Sequence, residues 1–364
     1  MANKVRFMDL RVSNPRDREG LLNVFNRVMD HGQFIMDKEV HNFEDAFSKY
    51  CGRRYCAGVD SGTSALFIAL QGMKIGKGDE VITTSLSWIA TANAIAMTGA
   101  TPVFCEIKDD LNIDPESVER MITKKTRAIL VVHYTGRIVD IEAFIAISEK
   151  YGIPIVEDSA QAFGSKYKEK VAGSFGYVAC FSMNPMKVLA ACGEAGAIVT
   201  DDNELYERIV SLRYNGTVNK EVCIQSSLNG RLDSLQAGIL LERMKDVDKK
   251  IKKIRNNVSL YNKLLPKNII PVPERHDESS SGYSYTVLVD NRKELIEFLS
   301  HMSIETKIQH PILMCEQEPY VNCPKDDISN SQRVVKKILS LPVNENITID
   351  QIHYVSESII KFYK

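Results

Sequence analysis

Short apolar runs of strand character recur through the first half of the chain, and they alternate with stretches of helical periodicity. Runs at 55–59, 80–83, 102–106, 128–133, 154–156, 178–182 and 197–200 read as strands. Between several of them lie amphipathic segments, of which 141–150 is the plainest. Strand and helix in turn predict an α/β fold around a mainly parallel sheet, whose functional loops lie at the carboxyl ends of the strands. Beyond residue 235 the pattern changes. A basic helical pattern runs through 235–254 with one solvated face, a Pro/Asp/Ser-rich loop follows at 271–282, and 283–290 and 293–302 read as a strand and a helix. A chain of 364 residues, 44% of them hydrophobic, can bury a large core and a second smaller one. The expected division is a large domain with an N-terminal segment at 1–245 and a small α+β domain at 246–364.

Two residues at such strand exits carry chemistry together. Lys187 follows the apolar run at 178–182 and precedes the glycine-punctuated turn Gly193-Glu194-Ala195-Gly196. Asp158 leaves the buried run at 154–156 within Glu157-Asp158-Ser159-Ala160-Gln161. A lysine amine able to form a Schiff base and a carboxylate able to keep a pyridine nitrogen protonated are what pyridoxal phosphate requires. Taken singly, Lys187 reads as a solvated charge and Asp158 as a helix N-cap. A third element, Ser61-Gly62-Thr63-Ser64, stands between a strand and a helix. Gly62 admits a close anion, and the first helical amides with the hydroxyls of Thr63 and Ser64 can donate to phosphate, although an ordinary Ser/Thr cap reads the same way. Trp88, the single tryptophan, either stacks on a flat cofactor ring from its loop or packs as an apolar residue.

The order of these motifs resembles the DegT/DnrJ/StrS family of sugar aminotransferases over nearly the whole chain. The resemblance is carried by Ser61 to Leu66, Gly78 to Ile82, Ser87 to Ile95, Glu157 to Ala162, Phe181 to Lys187, Gly193-Glu194, Asn229-Gly230-Arg231-Leu232-Asp233, Leu235-Gln236-Ala237 and Leu339 to Pro342. It implies a fold-type I aminotransferase dependent on pyridoxal phosphate, with pyridoxamine phosphate as the alternate form. By similarity Lys187 holds the cofactor, Asp158 meets its ring nitrogen and Gln161 the side bearing the ring hydroxyl. Trp88 stacks on the ring, and Gly62, Thr63 and Ser182 bind the phosphate. Asn229 matches an asparagine that reaches the phosphate from a neighbouring subunit, which implies a homodimer with shared sites. The implied reaction moves an amino group from glutamate to a nucleotide-linked ketosugar, giving an amino sugar for surface polysaccharide or another glycoconjugate.

Departures from the family pattern bear on the substrate. Ala195 stands where glycine is usual, Asp37 replaces a common glycine, and Gln309-His310-Pro311 replaces His-Tyr-Pro. Arg137 replaces glutamine and reads either as a surface arginine or as an extra cation near sugar or nucleotide phosphates. Arg137 and His310, with Arg231 of the matching motif, are the substrate-binding candidates. Two alternatives stand beside the transaminase. A dehydratase of the same family typically carries histidine at the lysine position, and a regulator would bind the cofactor without turnover.

Charge and cysteine usage narrow the setting. Forty-six basic against forty-seven acidic residues give a net charge of -1, which offers no global attraction to nucleic acid or membrane. The N-terminal stretch Met1 to Leu10 lacks the apolar core of a signal peptide and no run reaches membrane-spanning length, so the chain reads as cytoplasmic. Eight cysteines without a CxxC pair read as reduced, mostly packed thiols, and no metal is expected.

Overall fold

The computed structural model describes residues 4–364, so the first three residues of the stretch read for a signal peptide lie outside it. Seven strands form the central sheet: β1 (Tyr55–Val59), β2 (Glu80–Thr84), β3 (Thr101–Cys105), β4 (Thr126–Val132), β5 (Ile155–Asp158), β6 (Val178–Ser182) and β7 (Gly196–Thr200). Their spatial order is β1-β7-β6-β5-β4-β2-β3. β7 alone runs against its neighbours, pairing antiparallel with β1 and β6, while β6-β5-β4-β2-β3 pair in parallel. Side chains along β4 alternate between two apolar layers. Leu130 and Val132 join one core with Ile68 and Leu70, whereas Ile129 and Val131 join another with Phe144 and Ile147. Both faces are covered by helix, which is why the interior positions of these strands are mostly apolar.

The helices in chain order are α1 (Pro15–His31), α2 (Lys38–Cys51), α3 (Gly62–Gly72), α4 (Ala90–Met97), α5 (Pro115–Met121), α6 (Ile141–Tyr151), α7 (Asn203–Leu212), α8 (Ser234–Met244), α9 (Val247–Leu264), α10 (Arg292–His301), α11 (Ser329–Val335) and α12 (Ile349–Phe362). The helix read at 235–254 is two helices, since the chain turns at Lys245-Asp246 and α9 continues to Leu264. Buried Val247, Ile251, Ile254 and Tyr261 repeat at helical spacing from the new start, so packing rather than propensity sets the break. In the C-terminal part β8 (Ile270–Pro271), β9 (Tyr285–Leu288) and β10 (Ile338–Leu341) make an antiparallel sheet. Tyr261, Val287, Leu299, Leu339, Ile352 and Ile359 form its core. The loop expected at 271–282 contains a short strand, Glu278–Ser279, laddered against Lys166–Tyr167.

Register gathers three strand ends. Val59 and Ser182 each pair with Gly196, and Asp158 pairs with Cys180 two residues before Ser182. The antiparallel β7 thus starts between the carboxyl ends of β1 and β6, one strand from the end of β5. Gly196 is required there. A Cβ on it would stand 2.3 Å from the Ser61 carbonyl oxygen.

Candidate active site

The turn after β1 forms a tight concavity against β6. Ser61 caps α3, its hydroxyl accepting the Ser64 N–H at 3.1 Å, so the cap expected of this sequence is present. That leaves the first-turn amides of Gly62 and Thr63 without an intrahelical acceptor. A Cβ at Gly62 would fall 2.5 Å from the Ser182 Cβ, so the glycine lets the helix start abut the strand bearing Ser182. Backbone donors at a helix start beside a hydroxyl suit a phosphate group.

Asp158 is buried at the exit of β5. Its Oδ2 accepts the Thr91 hydroxyl at 2.9 Å and its Oδ1 the Ala160 N–H at 3.2 Å. Burial pushes the carboxyl above its ordinary range, against the opposing pull of those two donors and of Lys187. Beneath it Glu157 is fully buried and accepts His133 Nε2 at 2.9 Å and the N–H groups of Gly173, Phe175 and Gly176 at 2.6–2.8 Å. Burial opposes the charge on Glu157, yet these donors and the nearby Arg53 hold its carboxyl below the usual value. The end of β5 is therefore fixed from below by an acid that stays ionised. Gln161, also buried, accepts the Thr135 N–H at 2.8 Å.

Lys187 rides on a loop closed at both ends. The Met183 N–H donates to the Ala195 carbonyl at 2.8 Å, and the Ala191 N–H to the Met183 carbonyl at 2.7 Å. Gln236 of α8 accepts the Cys192 N–H at 2.9 Å, and Arg243 donates to the Ala191 carbonyl at 3.1 Å. Ala195 is fully buried in the core around Phe181, which absorbs the methyl that replaces glycine. The lysine Nζ lies 3.5 Å from the Tyr283 hydroxyl and 4.8 Å from its ring centre. Trp88 is 61% exposed in the single chain, and its ring centre is 5.9 Å from that of His310. His310 is pushed down to about 4, by burial first and then by Lys187 and Lys307, and is neutral at pH 7. Its Nδ1 is 3.1 Å from the Tyr134 hydroxyl.

The other substrate candidates divide. Arg137 is buried, with Nε and Nη2 at 2.9 and 2.6 Å from the two Glu278 carboxylate oxygens and Nη1 at 3.2 Å from the Val272 carbonyl. It is neither a surface arginine nor a free cation, because a bidentate pair in low dielectric occupies its donors. Arg231 lies 4.5 Å over the Tyr214 ring and donates to Asn229 Oδ1 at 2.7 Å, and Asn229 is exposed. The two flank Gly230, whose carbonyl accepts the Asp60 N–H at 3.0 Å and so ties their segment to the turn before α3. Thr91, Ser87, Gln236 and Tyr283 were not singled out from sequence, and the Ser87 to Ile95 motif held two of them unassigned.

Outside this cluster, five cysteines are buried, and burial pushes the Cys180 thiol well up, as a packed thiol requires. Cys192 and Cys223 are exposed instead. His31, Asp37 and Glu39 bring metal-capable atoms within 4.8 Å of one another. Arg27 already faces Glu39 Oε1 at 3.3 Å, and His31 Nδ1 accepts the Gln33 N–H at 3.1 Å. Among the described residues no helix is long and apolar enough to cross a membrane.

Known proteins give this arrangement a context. The model of the DegT/DnrJ/EryC1/StrS aminotransferase family matches residues 15–360. A dTDP-3-amino-3,6-dideoxy-alpha-D-galactopyranose transaminase of Aneurinibacillus thermoaerophilus is 35% identical, covering 98% of this chain and 99% of the relative. A pleiotropic regulatory protein of Geobacillus stearothermophilus is 34% identical over 99% of both chains. The crystal structure of S. venezuelae DesV in complex with ketimine intermediate superposes with a TM-score of 0.96, at 33% identity over 99% of both chains.

Proposed function

Because the chain belongs to the DegT/DnrJ/EryC1/StrS aminotransferase family, we propose that Lys187 and Asp158 form the centre of a pyridoxal phosphate site that transfers an amino group from glutamate to a nucleotide-linked ketosugar. The fold is that of the fold-type I aminotransferases, and the protein is a sugar aminotransferase. The observation that carries the site assignment is the convergence of a buried carboxylate, a half-buried lysine and a glycine-lined helix start at neighbouring strand ends. A Cβ at Gly62 would close the concavity that a phosphate needs, so the residues present fit the cofactor.

Each residue then has a defined task. When bound, pyridoxal phosphate supplies an aldehyde for an amine to condense with and a ring that accepts the electron pair left when a proton departs. Asp158 sets its negative charge against the ring nitrogen. The amides of Gly62 and Thr63 and the hydroxyl of Ser182 receive the phosphate. Trp88 covers a ring face, and Gln161, held by Thr135, meets the ring hydroxyl. Lys187 Nζ, within reach of the Tyr283 hydroxyl, would carry the proton to and from the carbon of a bound amino donor. His310, neutral and beside Trp88, and Arg231 face the sugar substrate. A lysine at position 187 favours transamination over dehydration.

Assembly belongs to the same proposal. Asn229 completes the phosphate site of a second copy in a homodimer. Exposed Phe34 and Ile35 support this, since Ile35 bridges to Asp233 and both lie beside the segment bearing Asn229. The proposed boundary between a large domain at 1–245 and a small one at 246–364 falls at the turn between α8 and α9. Cytoplasmic residence and an end product in surface polysaccharide or another glycoconjugate complete the reading.

The test needs no sugar. Purified protein is mixed with pyridoxal phosphate, its visible absorption is recorded, and glutamate is added. A lysine-linked band that bleaches with equimolar release of 2-oxoglutarate is the expected result, and Lys187→Ala should lose both. A band that forms and persists with glutamate sinks the glutamate assignment and favours a regulator or another donor. No band at all removes Lys187 from its role.

A further inference from the structure

The loop that presents Trp88 also delivers two buried hydroxyls to Asp158. Ser87 and Thr91 are 4% and 1% exposed, their Oγ atoms 3.0 Å apart, and Thr91 Oγ1 is 2.9 Å from Asp158 Oδ2. The direction of this chain is forced by valence. An ionised carboxylate only accepts, so Thr91 donates its single hydroxyl proton to Asp158. Thr91 is then left as acceptor, and Ser87 must donate to it. Each bond polarises the next, and a hydrogen bond donated to a buried charge is stronger than a neutral one.

We propose that Thr91, backed by Ser87, is a positioning residue that makes Asp158 a weaker base, so that the proton between Asp158 and the cofactor ring nitrogen stays on the ring. This rests on the assignment of Asp158 to the ring nitrogen. The physical need is specific. Burial alone drives the Asp158 carboxyl toward its neutral form, and a neutral acid facing the ring would leave the nitrogen without a counter-charge. Lys187 also opposes that tendency, but its amine would be engaged by the cofactor. The Ala160 N–H and the hydroxyl pair persist through the reaction. Thr91 is on α4 and Asp158 on β5, so their contact also fixes the Trp88 loop relative to the carboxylate.

The test reads the ring directly. Protein loaded with pyridoxal phosphate labelled with 15N in the ring is examined by NMR, as wild type and as Thr91→Val, Thr91→Ser, Ser87→Ala and Asp158→Asn. Valine keeps the volume and removes the hydroxyl. Wild type and Thr91→Ser should give a pyridinium shift, Thr91→Val should move toward neutral pyridine, and Ser87→Ala should move less in the same direction. The kcat of the glutamate half-reaction should fall about tenfold in Thr91→Val, with KM for glutamate little changed. A Thr91→Val protein with the wild-type 15N shift overturns the inference while leaving Asp158 in place. Should Thr91→Val fail to take up cofactor, Ser87→Ala decides in its stead, and an unchanged shift there also overturns it. If wild type and Asp158→Asn share one shift, the assignment of Asp158 itself falls and takes the inference with it.

Discussion

Asp158 sets a conflict between stability and chemistry within one residue. Its carboxyl is held above the ordinary value by burial, so the ionised form is a cost to the cofactor-free fold near neutral pH. The sign follows: a folded-state value above the unfolded one means the fold gains stability as pH falls through that raised value. Asp158→Asn should remove the cost, raising the melting temperature of the cofactor-free protein at pH 7 by roughly 1–3 °C and flattening its gain on mild acidification. The same substitution should strip the protein of most of the stabilisation that pyridoxal phosphate confers on wild type. Paired melting curves with and without cofactor check both halves. Lys187 and Asp158 were legible in sequence because each follows an apolar run, and a strand's exit is where such a sheet exposes its side chains. Thr91 was not. Its hydroxyl matters only because α4 meets the end of β5, sixty-seven positions away along the chain.

At the scale of elements, the link between Arg137 and Glu278 joins the turn after β4 to the short strand at Glu278–Ser279. Burial alone would raise the Glu278 carboxyl, and the Arg137 guanidinium outweighs it, holding the acid below its usual range. Arg137→Met should leave the buried Glu278 carboxylate with Arg275, 3.6 Å away, as its remaining cation and cost about 3 kcal/mol, while Arg137→Met with Glu278→Leu should recover much of that loss. Urea denaturation of the two single variants and the double variant measures the coupling, and a Met variant of unchanged stability would show the pair to be idle. The seven central strands were readable because both faces are buried and each run has an apolar centre. The break at Lys245-Asp246 was hidden, since lysine and aspartate interrupt no helical pattern and only the packing of Val247 and Ile251 reveals it. Arg137 failed for a related reason. A lone arginine carries no sign of the acid that buries it when that acid lies 141 positions further on.

For the whole molecule, the proposed exchange of Asn229 between subunits makes a genetic test possible. Lys187→Ala and Asn229→Asp should each be inactive or nearly so as homodimers, the aspartate repelling phosphate. Co-expressed and separated by distinct tags, the mixed dimer should regain one intact site, so its activity should approach half that of wild type per dimer. Sedimentation fixes the assembly state, and a mixed dimer no more active than its parents would place Asn229 in its own subunit's site. The single antiparallel strand β7 has a consequence in time. β1 is an edge strand whose only neighbour in the sheet is β7, with Val59 held against Gly196. A ribosome adding about 5–20 residues per second needs on the order of ten seconds or more to travel between them. For that interval the strand leading into the Ser61-Gly62 turn has emerged without its partner, so the phosphate end of the site, first of the large sheet to leave the ribosome, is among its last parts to be completed.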